Sequence, residues 1–213
     1  MLLHWPKLII SLASYFIAVP AVLSIIRYRK LDWAMKTVAC YVFLGALVQA
    51  FSSCLNAKNQ NNLWLLHLYT PLEFTCIVCF YGIVLRGFVK KTMMVGLGLG
   101  FVVLSALNSA FLQSITTFNT YARSLEGILV ILLCLIWCYR TLTEMKIKRL
   151  EQDPVFWVNT GLLLYFSGNV LLFAFSNYIV GINRALNLYI WAFHALFSIL
   201  LYFFITVGLW KAK

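Results

Sequence analysis

Charge is what this sequence has least of. Only 11% of its 213 residues are Asp, Glu, Lys or Arg, and just six are acidic. A soluble domain carries roughly 25%. Too few polar residues are present to cover a water-facing surface, so a soluble fold is excluded and the 63% hydrophobic content points to helices in lipid. The length suits one bundle and leaves no room for a second, soluble domain. Phosphate-binding loops, nucleophile elbows and paired aspartates are also missing, as is any kinase or cyclase region. Lysine is absent between Leu186 and Leu209, which excludes a retinal Schiff base in the last span. Histidine is limited to His4, His67 and His194. A zinc centre needs three protein ligands, which only His67 and His194 with Glu73 could supply. No metal and no cofactor is assigned.

Seven apolar runs are present, near 8–26, 35–55, 63–85, 92–114, 120–142, 155–177 and 186–210. Each exceeds the roughly 17 residues needed to cross a hydrocarbon core. The first is read as a span rather than a signal peptide, because Ser24 to Arg29 offers no small-x-small cleavage site. The fold class is therefore an all-α membrane protein, a single domain over 1–213.

The net charge of +11 lies in clusters between the runs rather than in a stripe, which argues for membrane orientation and against nucleic acid. The first connection has Arg27, Arg29 and Lys30, with Lys36 just beyond. The third has Arg86, Lys90 and Lys91, and the fifth Arg140, Lys146, Lys148 and Arg149. The tail has Lys211 and Lys213. The even-numbered connections hold only Lys58 and Arg184. Basic loops stay inside, so the N-terminus is expected outside and the C-terminus in the cytoplasm.

Trp5, Trp33, Trp64, Trp157 and Trp210 lie near predicted helix ends, as interfacial aromatics do. Asp153-Pro154 reads as a helix start, with Asp as N-cap and Pro in the first turn. Pro20 and Pro71 are expected to kink the first and third spans. Gly96, Gly98 and Gly100 in the fourth are expected to allow close helix packing. All six cysteines fall in apolar runs and read as buried free thiols, Cys76-x-x-Cys79 included.

Ionisable groups at membrane depth are functional candidates by default. The third span has His67 and Glu73, the fifth Arg123 and Glu126, and the seventh His194. Counted from their outer ends at 1.5 Å per residue, His67 lies about 6 Å deep, Glu73 about 15 Å, and Arg123 and Glu126 about 5 and 9 Å. Asn169 and His194 lie about 12 Å deep, with Gln49 and Asn108 similar. All fall in the outer half, leaving Asn159 as the inner exception. Asn187, Trp191, His194 and Ser198 share one stripe of the seventh span. His67 and Glu73 lie about 120° apart on the third and cannot both face one centre. Two readings stay open. One is a structural network in which Arg123 pairs with Glu126 or Glu73. The other is an outward-facing ligand site of His67, Glu73, Arg123, Glu126, Asn169, Trp191 and His194.

Four segments carry a resemblance: Asn62–Phe74 (NLWLLHLYTPLEF), Phe118–Ile131 (FNTYARSLEGILVI), Asp153–Phe173 (DPVFWVNTGLLLYFSGNVLLF) and Trp191–Trp210 (WAFHALFSILLYFFITVGLW). Together they resemble uncharacterised short seven-helix membrane proteins of Bacteroidetes-type bacteria, similar to sensor-like membrane regions of some histidine kinases. The resemblance falls on the third, fifth, sixth and seventh spans, about half the chain, and implies a bacterial inner (cytoplasmic) membrane. The TPLEF piece is similar to the PLEE-type motif of membrane lycopene cyclases, with Phe74 in place of the second acid.

The leading expectation is a receptor-like or accessory sensor module that binds a small molecule or lipid and acts through a membrane or cytoplasmic protein partner. The alternatives are a small-solute or proton-linked transporter, a structural subunit of an envelope complex, and an intramembrane enzyme acting on a lipid or isoprenoid. A transporter sits poorly with an apolar inner half and no visible inverted repeat.

Overall fold

The computed structural model describes residues 4–145, 147, 149–182 and 184–212, apart from the side chains of 4, 179–182 and 184–186. Lys146, Lys148 and Lys213 lie outside the described residues, as does the side chain of Arg184. The described residues are helical with no strand. Seven helices are long and apolar enough to cross a membrane: Trp5–Lys30, Trp33–Ala57, Trp64–Val84, Lys91–Leu112, Thr120–Glu144, Pro154–Tyr178 and Asn187–Lys211. These match the seven predicted runs to within a few residues at each end.

The first span is broken. α1 (His4–Phe16) and α2 (Ala18–Arg27) meet at Ile17. Pro20 has no N–H to give the carbonyl of Phe16, and its ring crowds that carbonyl, so the break falls one turn before the proline. α3 (Trp33–Ala57) starts at Asp32, whose carboxylate accepts from the Met35 N–H at 2.8 Å. α4 (Trp64–Val84) continues through Pro71 as one helix. α5 (Lys91–Leu107) ends in a π-turn over Asn108–Leu112, and α6 spans Thr120–Glu144. α7 (Pro154–Ile182) starts with Asp153 accepting from the Val155 N–H at 3.0 Å. α8 covers Arg184–Lys211.

Six spans close a ring. α3 packs on α4, α4 on α6, α6 on α7, α7 on α8, and α8 on both α1 and α2, while α2 returns to α3. α5 stands outside the ring, chiefly against α4.

The α7–α8 seam is the tightest. A Cβ at Gly161 would stand 2.8 Å from Phe204 Cβ, and one at Gly208 would stand 2.9 Å from Val158. The glycines expected to pack closely do not. Gly96 and Gly100 face open space and Gly98 meets only Val78, because α5 lies outside the ring with most of its surface unpartnered.

The two ends of the bundle differ. At the end that carries the α8 terminus, the core closes on Met35, Val42, Leu85, Leu201, Ile205 and Leu209, all essentially without exposure. Arg27 Nη2 donates to the Ala212 carbonyl at 2.5 Å and Arg140 Nη1 to the Val84 carbonyl at 2.7 Å, tying helix ends together. A small polar node lies in this half. Tyr81 Oη donates to Asn159 Oδ1 at 2.7 Å and lies 3.1 Å from Cys134 Sγ. The end that carries the N-terminus is open.

Candidate functional site

A cavity of about 1100 Å³ opens at the N-terminal end of the ring. Ligand pockets for drug-sized molecules run to roughly 300–1,000 Å³. Every ring span contributes to its wall, including Ser14 of α1, Gln49 and Ser52 of α3, Tyr69 and Glu73 of α4, Arg123 of α6, Tyr165 and Phe173 of α7, and Trp191 and His194 of α8. No residue of α5 does, because α5 lies outside the ring.

The floor centres on Arg123. Its Nη1 pairs with Glu73 Oε2 and also donates to Glu126 Oε2 at 2.6 Å. Its Nη2 donates to Tyr165 Oη at 3.1 Å. The guanidinium lies over Phe173, 4.6 Å from the ring centroid, and within 6 Å of Tyr69 and Phe166, so three ring faces also stabilise it. Arg123 thus ties α4 to α6 through the two carboxylates of this triad, and α7 through Tyr165. It realises the structural reading of these residues with both carboxylates at once, and the cavity side of the same triad is the pocket wall. Glu73 lines the cavity. Glu126 sits behind Arg123 and keeps Oε1 buried without a partner among the described residues. Tyr41, Tyr69, Tyr165 and Tyr202 line the same cavity as Glu73.

His194 stands beside this floor with its tautomer set by its neighbours. Asn169 Nδ2 donates to the Tyr165 carbonyl at 2.8 Å, which leaves Asn169 Oδ1 facing His194 Nδ1 at 3.0 Å. A carbonyl oxygen only accepts, so Nδ1 carries the hydrogen and the Nε2 of the neutral ring keeps its lone pair. Among the described residues nothing donates to Nε2. Trp191, Phe173 and Tyr165 pack around the imidazole with centroids 5.5–5.8 Å away.

The rim is set by the α5–α6 connection. Asn177 clamps Phe118 by accepting from its N–H and donating to its carbonyl, both at 3.0 Å. Phe118 is thereby stacked on Trp191 at 5.3 Å.

Of the seven expected site residues, Glu73, Arg123, Trp191 and His194 line the cavity. Glu126 and Asn169 stand one layer back, holding Arg123 and His194. His67 is elsewhere. It is buried, with Nδ1 2.9 Å from Ser109 Oγ and Nε2 3.2 Å from the Thr117 carbonyl. Its ring ties α4 to the α5–α6 connection and has no nitrogen left for a ligand. The reason is angular: Leu66, Tyr69, Thr70 and Glu73 take the cavity face of α4, and His67 falls on the flank toward α5. Asn108 likewise leaves the pocket, donating to Gln113 and Asn119 at the π-turn.

The tyrosines were not among the expected residues. A signal existed, since Tyr69 lies one turn before Glu73, Tyr165 one turn before Asn169, and Tyr202 one turn after Ser198. Hydropathy patterning reads tyrosine as apolar, so it does not mark the stripe.

No set of three His, Cys, Asp or Glu side chains among the described residues stands close enough to hold a metal. No family model matches the chain, and neither the curated proteins nor the solved structures include a match.

Proposed function

We propose that this protein is a receptor-like or accessory sensor module of a bacterial cytoplasmic membrane, binding a ligand in the cavity and acting through a protein partner. The observation that carries this reading is the cavity itself, open at one end and floored by the Arg123–Glu73–Glu126 charged triad. The basic residues support an outside N-terminus, since Arg27, Arg29, Arg86, Lys90, Lys91, Arg140 and Lys211 belong to the end remote from the opening. The cavity then faces the exterior. Resemblance to sensor-like membrane regions of histidine kinases points the same way.

Transport is the weaker reading because the half below the floor is packed with apolar side chains. A carrier needs an alternating path through that half.

Native mass spectrometry of the full chain extracted with its surrounding lipid is the first test. The expected result is a retained molecule that Ser198→Trp, which fills the cavity, removes. A bare protein mass, together with an unchanged transcript profile on deletion of the gene, would end the sensor assignment. For orientation, a cysteine-free chain with Asn59→Cys is expected to react with a membrane-impermeant maleimide from outside the cell, and one with Arg29→Cys is not. The reverse pattern would turn the molecule over.

A further inference from the structure

We infer that the cavity takes an amphiphile from the surrounding leaflet, entering sideways between α1 and α3, with a hydrogen-bond-donating head of the alcohol or amine class and not an anionic one. This inference rests on the proposed ligand-binding reading and names the ligand's chemistry.

The side entrance follows from the broken first span. At Ile17 the chain touches α3, where a Cβ on Gly45 would stand 3.1 Å from the Ile17 side chain. From that point α1 rests on α8, with Trp5 against Tyr189 at 5.4 Å, whereas α3 stays with α4. The buried residues of α3 stop at Val42. The next four turns have no buried residue, although ring closure by α1 would bury one face of them. Ser14 on α1 and Gln49 on α3 both line the cavity, on opposite sides of this gap. The slot lies alongside the cavity, within the length of two membrane-crossing helices, so it faces acyl chains and not water.

The head-group class follows from the floor. One guanidinium serves two carboxylates, so Arg123 is already matched. Either the pair of carboxylates keeps a proton or the floor carries an extra negative charge. With both carboxylates ionised the floor repels a phosphate or carboxylate head, since like charges brought together in a desolvated site are strongly disfavoured; with one proton kept the floor is neutral and gives such a head no net attraction. The groups left for a ligand include two acceptors, the Glu73 carboxylate and His194 Nε2. They match a hydroxyl or an amine. The wall above them includes Ile10, Val48, Leu66 and Leu188, which suit the chain of such a molecule, interleaved with Lys7, Gln49 and Asn62 nearer the opening.

The test uses the full protein in nanodiscs with three photoreactive probes of the same chain length: a long-chain alcohol, the matched amine and the matched fatty acid. Labelled positions are read by peptide mass spectrometry. The alcohol and amine are expected to label cavity-lining segments of α3 and α8. The acid is expected to label them at least about tenfold less, as like-charge juxtaposition predicts. Ser14→Trp and Gln49→Trp plug the slot from either side without touching the triad. Whichever gives a monodisperse protein is expected to abolish cavity labelling while labelling of the outer face of α5 persists. Equal labelling by the acid, or labelling that survives the plug, would overturn the inference. If the membrane probes stay out while native mass spectrometry finds a retained water-soluble molecule, this inference fails and the ligand-binding reading stands. If no probe and no retained molecule occupies the cavity, both fail.

Discussion

The two halves of the bundle are built from the same helices and solve opposite problems. Toward the C-terminal end, α7 and α8 approach closely through Gly161 and Gly208, and apolar side chains fill the space. Toward the N-terminal end, α1 bends onto α8 and away from α3, and the space is left open and lined with tyrosine, amide and charged groups. The closed half has one small polar node, satisfied internally. The open half concentrates its polarity where a ligand or water can reach it. The difference teaches that helix count does not decide whether a ring of this kind encloses a cavity. The decision lies in where glycine lets axes meet and where proline sends one away.

The largest effect is expected at the triad, where the open half depends on charge matching. Arg123→Met leaves two carboxylates without their cation and should cost about 3–5 kcal/mol, read as a drop in thermal midpoint in detergent. Replacing Glu73, Glu126 and Arg123 together by Met should recover most of that loss, because exchanging a whole buried ion set for apolar groups is close to neutral. If the triple variant were as unstable as the single one, charge matching would not be what holds α4 and α6 together.

Glycine comes next. Gly161→Ala sets a methyl against Phe204 Cβ, which has no flexible end to move aside, and should cost about 1–3 kcal/mol. Gly100→Ala, on the unpartnered face of α5, should be neutral or favourable by up to about 1 kcal/mol through helix propensity. Similar effects at both positions would erase the contrast between the ring and its outlying helix.

Two tyrosines offer a finer comparison. Tyr81→Phe leaves Asn159 Oδ1 without its donor in the closed half and should cost about 1–3 kcal/mol. Tyr165→Phe removes an acceptor from Arg123 where the cavity admits water in its place, and should cost nearer 0.5 kcal/mol, the low end for a net hydrogen bond. A reversal of that order would mean the cavity is dry.

The smallest effect lies at the edge of the closed half. Burial, with Asp32 nearby, raises the Asp153 carboxyl above its usual range. A raised folded-state value means ionised Asp153 weakens the fold, and this disadvantage vanishes as pH falls below the unfolded value. Asp153→Asn keeps a good N-cap and should be slightly stabilising at neutral pH and without effect in acid, as thermal melts at the two pH values would report. A loss of stability at neutral pH would instead assign the carboxylate a favourable charge interaction.

Much of the fold was legible in the residues. Seven apolar runs of sufficient length specify seven spanning helices because lipid offers backbone groups no other partner. The depths of Glu73, Arg123, Asn169 and His194 followed from helix rise, so their common place in the outer half was readable as well, although rise alone set Arg123 and Glu73, which pair, about 10 Å apart. Facing was only partly readable. The 120° between His67 and Glu73 showed that one of them must turn away, but not which, because that depends on the side from which α5 packs. The GLGLG run misled for the same reason: small residues permit close approach only where a neighbour exists.

By itself, then, the sequence determined the number of spans, the level of the polar groups and the alternation of basic loops, since all three depend on positions along a single helix. Only the tertiary structure decided that α5 stands outside a ring of six, that Gly161, Gly168 and Gly208 make the closest glycine contacts, and that four tyrosines join Glu73 in lining the cavity. Those outcomes depend on which helix lies beside which. In lipid, neighbour choice is set by small differences in packing and hydrogen bonding between faces of similar hydrophobicity, and hydropathy along the chain cannot rank them.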